Sequence, residues 1–159
     1  MSNFYTSLYD GSYNNKIHLL PNEYINILSD NEQIIDTYRW TGNKFEKIKY
    51  AILDSSWLGK IKPYQGDIYQ AMVVDSFLNN KITMIKGPAG SGKSYLSMAY
   101  LFNCLDKGKI DKIIIFCNPV ATKNSAKLGF YPGSRDEKLL DSQIGNFLTS
   151  KLGGRIAVE

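Results

Sequence analysis

The clearest chemistry in the chain lies in one run, Gly87-Pro88-Ala89-Gly90-Ser91-Gly92-Lys93-Ser94. Its spacing is Gly-x-x-x-x-Gly-Lys-Ser, the pattern of a phosphate-binding loop, which works only between a strand and the start of a helix. Glycine lets the backbone wrap closely enough for successive N–H groups to point at phosphate oxygens, and the helix that follows adds the positive end of its dipole. Lys93 would reach the β- and γ-phosphates as a point charge and is the expected catalytic residue. Ser94 would offer its hydroxyl to magnesium, which keeps its other positions for phosphate oxygens and water. The expected nucleotide-binding set is therefore Gly87, Pro88, Ala89, Gly90, Ser91, Gly92, Lys93, Ser94 and Tyr95, with ATP and Mg2+ as cofactors.

Hydrolysis in such proteins also needs a second carboxylate at the end of another strand, to hold magnesium, and a group that orients the attacking water. The acids after Lys93 are Asp106, Asp111, Asp136, Glu137, Asp141 and Glu159. Asp111 precedes an apolar run rather than closing one, and only Ile156-Ala157-Val158-Glu159 ends in the required type. The expectation is a chain that stops before half of its catalytic sheet, which leaves turnover open.

The elements that must position the loop follow from hydrophobic period. Asp67 to Leu78 carries Ile68, Met72, Val73 and Phe77 at helical spacing behind Asp67 as an N-cap. Ile82 to Ile85 then reads as a short buried strand, Lys93 to Leu105 as a second helix ended by Gly108, and Ile113 to Cys117 as the next buried strand. A further helical segment is expected around Glu137 to Leu148. Helix and strand in this alternation predict a parallel α/β sheet. Ahead of it, Ile17 to Leu20, Tyr24 to Leu28, Gln33 to Trp40 and Phe45 to Ile52 have strand character. Turns are expected at Ser29-Asp30-Asn31 and Thr41-Gly42-Asn43. The predicted organisation is a small antiparallel β module over residues 1–59 and the α/β part over residues 60–159.

Composition narrows the class. The 159 residues are 43% hydrophobic and 21% charged, which suits a folded soluble chain, and no apolar stretch approaches the roughly 18 residues of a membrane span. Met1 to Tyr5 lacks the basic and apolar pattern of a secretory signal, so a cytoplasmic location is expected. Cys104 and Cys117, with His18 the single histidine, cannot supply a four-ligand zinc site and read as reduced core residues, so any metal must take oxygen ligands. The net charge of +4 permits an anionic partner without requiring one.

Beyond the loop itself, Ile61-Lys62-Pro63, then Gln70, then GPAGSGKSYLSMAYL, then IIIFCNPV and KLGFYPGSRDEKL resemble the PhoH-like family of P-loop ATPases in order and spacing. The most specific part is Leu128 to Lys138, which looks like the family's signature loop. The region with Asn22-Glu23-Tyr24 and Thr37 to Gly42 is similar to the linker module ahead of the ATPase in longer members that carry a PIN nuclease domain, although no PIN-like acidic cluster is present. The resemblance implies a RecA-like P-loop NTPase sheet, present in part, with Mg-dependent ATP hydrolysis. It also implies action on single-stranded RNA and assembly into homo-oligomeric rings. It places Gln70 against adenine, where an amide can pair with both the donor and the acceptor on the base edge. The chain departs from the family at Cys117-Asn118-Pro119, where Thr-Arg-Pro is usual, and the second acidic motif would lie beyond Glu159.

Two other classes stay open. Lys44, Lys47, Lys49, Lys60 and Lys62 are interleaved with Phe45, Tyr50, Trp57 and Tyr64, the mixture of charge and stacking surface that single strands use, so a nucleic-acid-binding module with a structural or regulatory nucleotide is one alternative. A small P-loop kinase acting on a metabolite is the other.

Overall fold

The computed structural model describes Thr6, Leu8, residues 15–116 and residues 143–152. The chain divides into two compact units, Met1–Ile52 with Lys62–Ser97, and Leu53–Ile61 with Met98–Glu159.

In the first unit, strands β1 (Tyr24–Leu28), β2 (Ile34–Trp40) and β3 (Phe45–Lys47) form an antiparallel sheet in the order β1-β2-β3. The expected turns are both present. Ser29 closes the first with its N–H on the Gln33 carbonyl (2.8 Å), and Gly42, at φ +101°, allows the second, in which Thr41 N–H meets the Lys44 carbonyl at 3.0 Å. Ile17 to Leu20 is not a strand; Asn15 instead brackets Leu19, donating to its carbonyl at 2.8 Å and accepting its N–H at 2.9 Å. The third strand ends at Lys47 rather than running to Ile52.

β2 is buried over four consecutive residues, Thr37 to Trp40, and this explains why its inward and outward alternation is imperfect. Side chains alternate across a strand, so Tyr38 and Trp40 join Leu8 and Phe45 in one apolar cluster, while Thr37 and Arg39 face the other way. Trp40 and Phe45 rings lie 4.8 Å apart. Across the opposite face runs helix α1 (Ile68–Asn79), capped by Asp67, whose carboxylate accepts the N–H groups of Tyr69 (3.0 Å) and Gln70 (3.2 Å). Its fully buried residues are Ala71 and Val74, one register away from the larger side chains that periodicity favours.

A buried guanidinium joins this helix to the sheet. Arg39 donates from Nε to Asp75 Oδ2 (2.8 Å), from Nη1 to Asn22 Oδ1 (3.1 Å) and from Nη2 to Glu46 Oε2 (3.0 Å). Tyr24 OH donates to the same Asp75 oxygen at 3.0 Å. Burial, and then the negative charge of Asp75, push the Tyr24 phenol well above its ordinary pKa.

In the second unit, β4 (Leu53–Ser55) and β5 (Gly59–Ile61) form a hairpin. The Asp106 carboxylate accepts from Ser56 N–H (2.5 Å) and Ser56 Oγ (2.9 Å), and Asn103 donates to the Asp54 carbonyl (2.6 Å). Trp57 lies over Phe102 with centroids 6.3 Å apart. Asn103, Asp106 and Phe102 sit on helix α2 (Lys93–Asp106), which ends as expected at Gly108, φ +62°. Gly108 N–H bonds the Leu105 carbonyl and Lys109 N–H the Cys104 carbonyl, the paired closure of a Schellman cap. Cys104 is a buried free thiol. Helix α3 (Gln143–Leu152) overlaps the expected segment from residue 143 onward.

The two predicted parallel strands are not shown among the described residues. Ile82 to Ile85 and Ile113 to Phe116 take part in no ladder among the described residues, and both observed sheets are antiparallel. Ile82, Met84 and Phe116 are 90%, 94% and 93% exposed. A central parallel strand draws its hydrogen bonds from flanking strands brought in by crossovers, and no such neighbours occur among the described residues. Cys117, Asn118, the stretch from Leu128 to Lys138, Asp136, Glu137, Asp141 and Glu159 lie outside the described residues.

Removing the guanidinium strands a largely buried carboxylate, so Arg39→Ala is expected to cost about 3 kcal/mol in urea unfolding. The raised Tyr24 phenol keeps its proton when folded after the unfolded chain has begun to lose it, so stability is intact below pH 10.0 and falls as pH rises further. Tyr24→Phe is expected to flatten that alkaline decline in a pH series of denaturation midpoints.

Candidate functional site

The loop Gly87 to Ser94 stands at the N-terminus of α2, as its sequence pattern demands. Gly90 and Gly92 adopt φ +80° and +81°, the left-handed region that other residues enter only at a cost. Leu96 N–H makes the first helical bond, to the Gly92 carbonyl at 2.9 Å. The backbone N–H groups of Gly90, Ser91, Gly92, Lys93 and Ser94 donate to no group among the described residues. No acidic side chain occupies the first turn of α2, so nothing there offsets the positive end of the helix.

Lys93 folds back over the loop. Its ammonium donates to the Gly87 carbonyl (2.9 Å), the Pro88 carbonyl (2.5 Å) and Ser91 Oγ (3.4 Å), while Ser91 Oγ itself donates to the Pro88 carbonyl at 3.0 Å. A side chain at position 87 would crowd Ser91 Oγ, its Cβ coming within 3.3 Å. Ser94 is exposed, Tyr95 half-buried, and Pro88, Ala89 and Gly90 are exposed. The arrangement is a concentration of unspent donors and one cation, suited to a multiply charged oxyanion, with the Ser94 hydroxyl open to a hard cation.

Gln70 sits beside the same loop, its Nε2 lying 3.6 Å from where a Cβ on Gly92 would be. Its oxygen accepts Tyr64 N–H at 2.9 Å. Pro63 is fully buried, Asp67 N–H bonds the Tyr64 carbonyl at 2.9 Å, and Gly66 takes φ +99°, so residues 63–67 form a fixed turn into α1. Sequence reasoning placed Gln70 near the nucleotide but carried no signal for the Tyr64 bond, which depends on how the turn folds.

The lysine and aromatic cluster is less open than its sequence suggests. Lys44 pairs with Glu46 (3.0 Å), Lys47 pairs with Asp36 (2.5 Å), and Phe45 is buried against Trp40. Asp106, the first acid after Lys93, is engaged by Ser56, and no group of three metal-ligating side chains occurs among the described residues. No helix among the described residues is long and apolar enough to cross a membrane.

A glycine-rich loop of this pattern at a helix N-terminus is the mark of P-loop proteins as a class. The family model for PhoH-like proteins matches residues 61–153, more than half of the chain, and the chain belongs to the PhoH-like family, whose members are generally P-loop ATPases. It is similar to the PhoH-like protein of Mycobacterium leprae (strain TN), 39% identical over 70 residues that make up 44% of this chain and 20% of the relative. The PhoH-like protein of Mycobacterium tuberculosis (strain ATCC 25618 / H37Rv) is 37% identical over the same length, 44% of this chain and 19% of the relative. The match thus spans about a fifth of the length of these curated relatives. No solved structure matches the chain significantly.

Gly90 has open space around its Cβ position but a left-handed φ, so Gly90→Ala tests backbone conformation alone. We expect it to cost about 1 kcal/mol. That should lower Tm by about 2–4 °C in a thermal melt.

Proposed function

We propose that this chain supplies the nucleotide-binding part of a PhoH-like, Mg-dependent ATPase. The observation that carries the reading is the row of five undonated N–H groups, Gly90 to Ser94, on a loop held open by two left-handed glycines at an acid-free helix N-terminus. The triphosphate would lie along these groups. Lys93 would exchange the Gly87 and Pro88 carbonyls for β- and γ-phosphate oxygens, a trade of neutral for charge-assisted hydrogen bonds. Ser94 Oγ would be the protein ligand to magnesium, and bound Mg2+ supplies neutralisation of the charge between the terminal phosphates.

Residues 60–159 form, in this reading, the opening part of the ATPase domain, with Ile82 to Ile85 and Ile113 to Cys117 as strands of its parallel sheet. Their apolar composition, and the family match over residues 61–153, support that assignment. The carboxylate that turnover requires would have to come from outside the described residues, because Asp106 is committed to Ser56 and Asp111 is an exposed residue ahead of its apolar run. Coupling of turnover to work on single-stranded RNA in a homo-oligomeric ring, in the cytoplasm, is supported by the family resemblance alone.

The experiment is a calorimetric titration of Mg-ATP against the parent chain and Lys93→Ala. Loss of a charged hydrogen-bonding partner is expected to weaken binding about 10- to 100-fold. Circular dichroism should show both proteins equally folded. Equal affinity in the two would overturn the assignment of the loop.

A further inference from the structure

Helix α1 meets the chain on both sides of the phosphate loop. Near its start, Gln70 lies beside Gly92, where the loop passes into α2, with Nε2 3.6 Å from the Cβ position of that glycine. Near its end, Ser76 Oγ and Thr83 Oγ1 share a hydrogen bond of 3.1 Å, and Thr83 precedes Gly87 in the run that leads into the loop. At the helical rise per residue, Gln70 and Ser76 stand about 9 Å apart along the axis of α1. The loop is thus hung between two points of one helix.

Ser76 is a firm point of attachment. Its neighbour Asp75 takes Arg39 Nε (2.8 Å) and Tyr24 OH (3.0 Å), which ties this turn of α1 to the sheet. Asn80, the C-cap, donates its backbone N–H to the Ser76 carbonyl (2.9 Å) and its Nδ2 to the Ser76 carbonyl and Oγ (3.2 Å each). The backbone of Asn80 is extended, so the chain leaves the helix there. Beyond it, Ile82 and Met84 are exposed while Thr83 and Ile85 are half-buried, the alternation of an extended run with one covered side. The Thr83 bond is the only hydrogen bond made by residues 82–86 among the described residues, so it is the directional contact that sets this run against α1.

We propose that Ser76 and Thr83 are positioning residues of the phosphate site: the bond between their hydroxyls sets where the chain enters the loop, and with it the line of N–H groups from Gly90 to Ser94. This rests on the reading of Gly87 to Ser94 as a triphosphate site. The Gly87 and Pro88 carbonyls that hold the Lys93 ammonium come directly after the tethered run. A run free to slide along α1 would carry those carbonyls with it while Gly92 stayed beside Gln70. The donors would then meet phosphate oxygens at poorer angles, where hydrogen bonds weaken steeply.

The test is a calorimetric titration of Mg-ATP, and separately of Mg-tripolyphosphate, against the parent chain, Thr83→Val, Thr83→Ser, Ser76→Ala and the double variant Ser76→Ala/Thr83→Val. Valine keeps the branched shape of threonine without its hydroxyl, and serine keeps the hydroxyl. Thr83→Val and Ser76→Ala should each weaken both ligands about fivefold, the scale of one neutral hydrogen bond. Equal losses on the two ligands would place the effect at the phosphates. Thr83→Ser should bind within about twofold of the parent, and the double variant within about twofold of the weaker single one, because both substitutions remove the same bond. Urea denaturation of the same proteins separates a loss of folding from a loss of affinity, and Ser76→Ala carries the same expectation should Thr83→Val fail to fold.

Single variants that unfold at lower urea yet bind as tightly as the parent overturn the inference, since the hydroxyl pair would then serve the fold alone. Losses that multiply in the double variant overturn it too, because the two hydroxyls would be acting separately. A parent that binds neither ligand fails the triphosphate reading, and the inference with it. A parent whose binding depends on Lys93, matched in affinity by Thr83→Val, fails the inference alone.

Discussion

The first unit depends on one buried cation. Arg39 lies on the central strand with its side chain almost entirely out of water, and three acceptors from Asp75, Asn22 and Glu46 meet its donors. A guanidinium in such a place is tolerated only when its partners are present in the right geometry, because desolvation costs several kcal/mol per ion before any attraction is counted. The pairing is satisfied in one arrangement only: β1 and β3 on either side of β2, and α1 turned so that Asp75 faces the sheet. Asp75 also takes the Tyr24 hydroxyl and the Asn79 amide, so the same carboxylate anchors the strand before and the end of its own helix. A network of this kind specifies an arrangement more than it adds net stability.

The candidate site hangs from the other end of that helix. Asp67 caps α1, the turn over residues 63–67 is tied to the cap, and Gln70 reaches from the first turn of α1 to both the Tyr64 N–H and the side of Gly92. The loop itself contrasts with the network around Arg39, in which Nε, Nη1 and Nη2 each meet an acceptor. Gly90 to Ser94 leave their N–H groups unspent, and Lys93 satisfies itself on carbonyls of its own loop. Polar groups near the surface can remain so because water takes them, and a charged ligand can displace that water.

Much was legible in the sequence. The two helices with their Asp67 and Gly108 caps, the two hairpin turns and the loop follow from interactions within a few residues, where residue type decides the outcome. The parallel sheet, by contrast, is an expectation that the described residues do not show. Ile82 to Ile85 and Ile113 to Phe116 have the composition of buried strands, but composition reports what a segment could bury, and Ile82, Met84 and Phe116 are almost fully exposed while Ile85 and Ile113 are half-buried. β2 shows the reverse: four consecutive buried residues blur its period, because one face serves the aromatic cluster and the other the helix.

The sequence by itself determined the local chemistry: where the chain turns, where its helices start and stop, and where glycine, lysine and serine stand in the spacing that phosphate demands. Only the tertiary structure decided that Arg39 meets Asp75 from 36 residues away, that Asp106 serves Ser56, and that the Gln70 oxygen accepts the Tyr64 N–H. These pairings depend on which acceptor lies closest once the elements have packed. Composition cannot order such distances, because every carboxylate and amide in the chain offers the same chemistry until the fold brings one of them within reach.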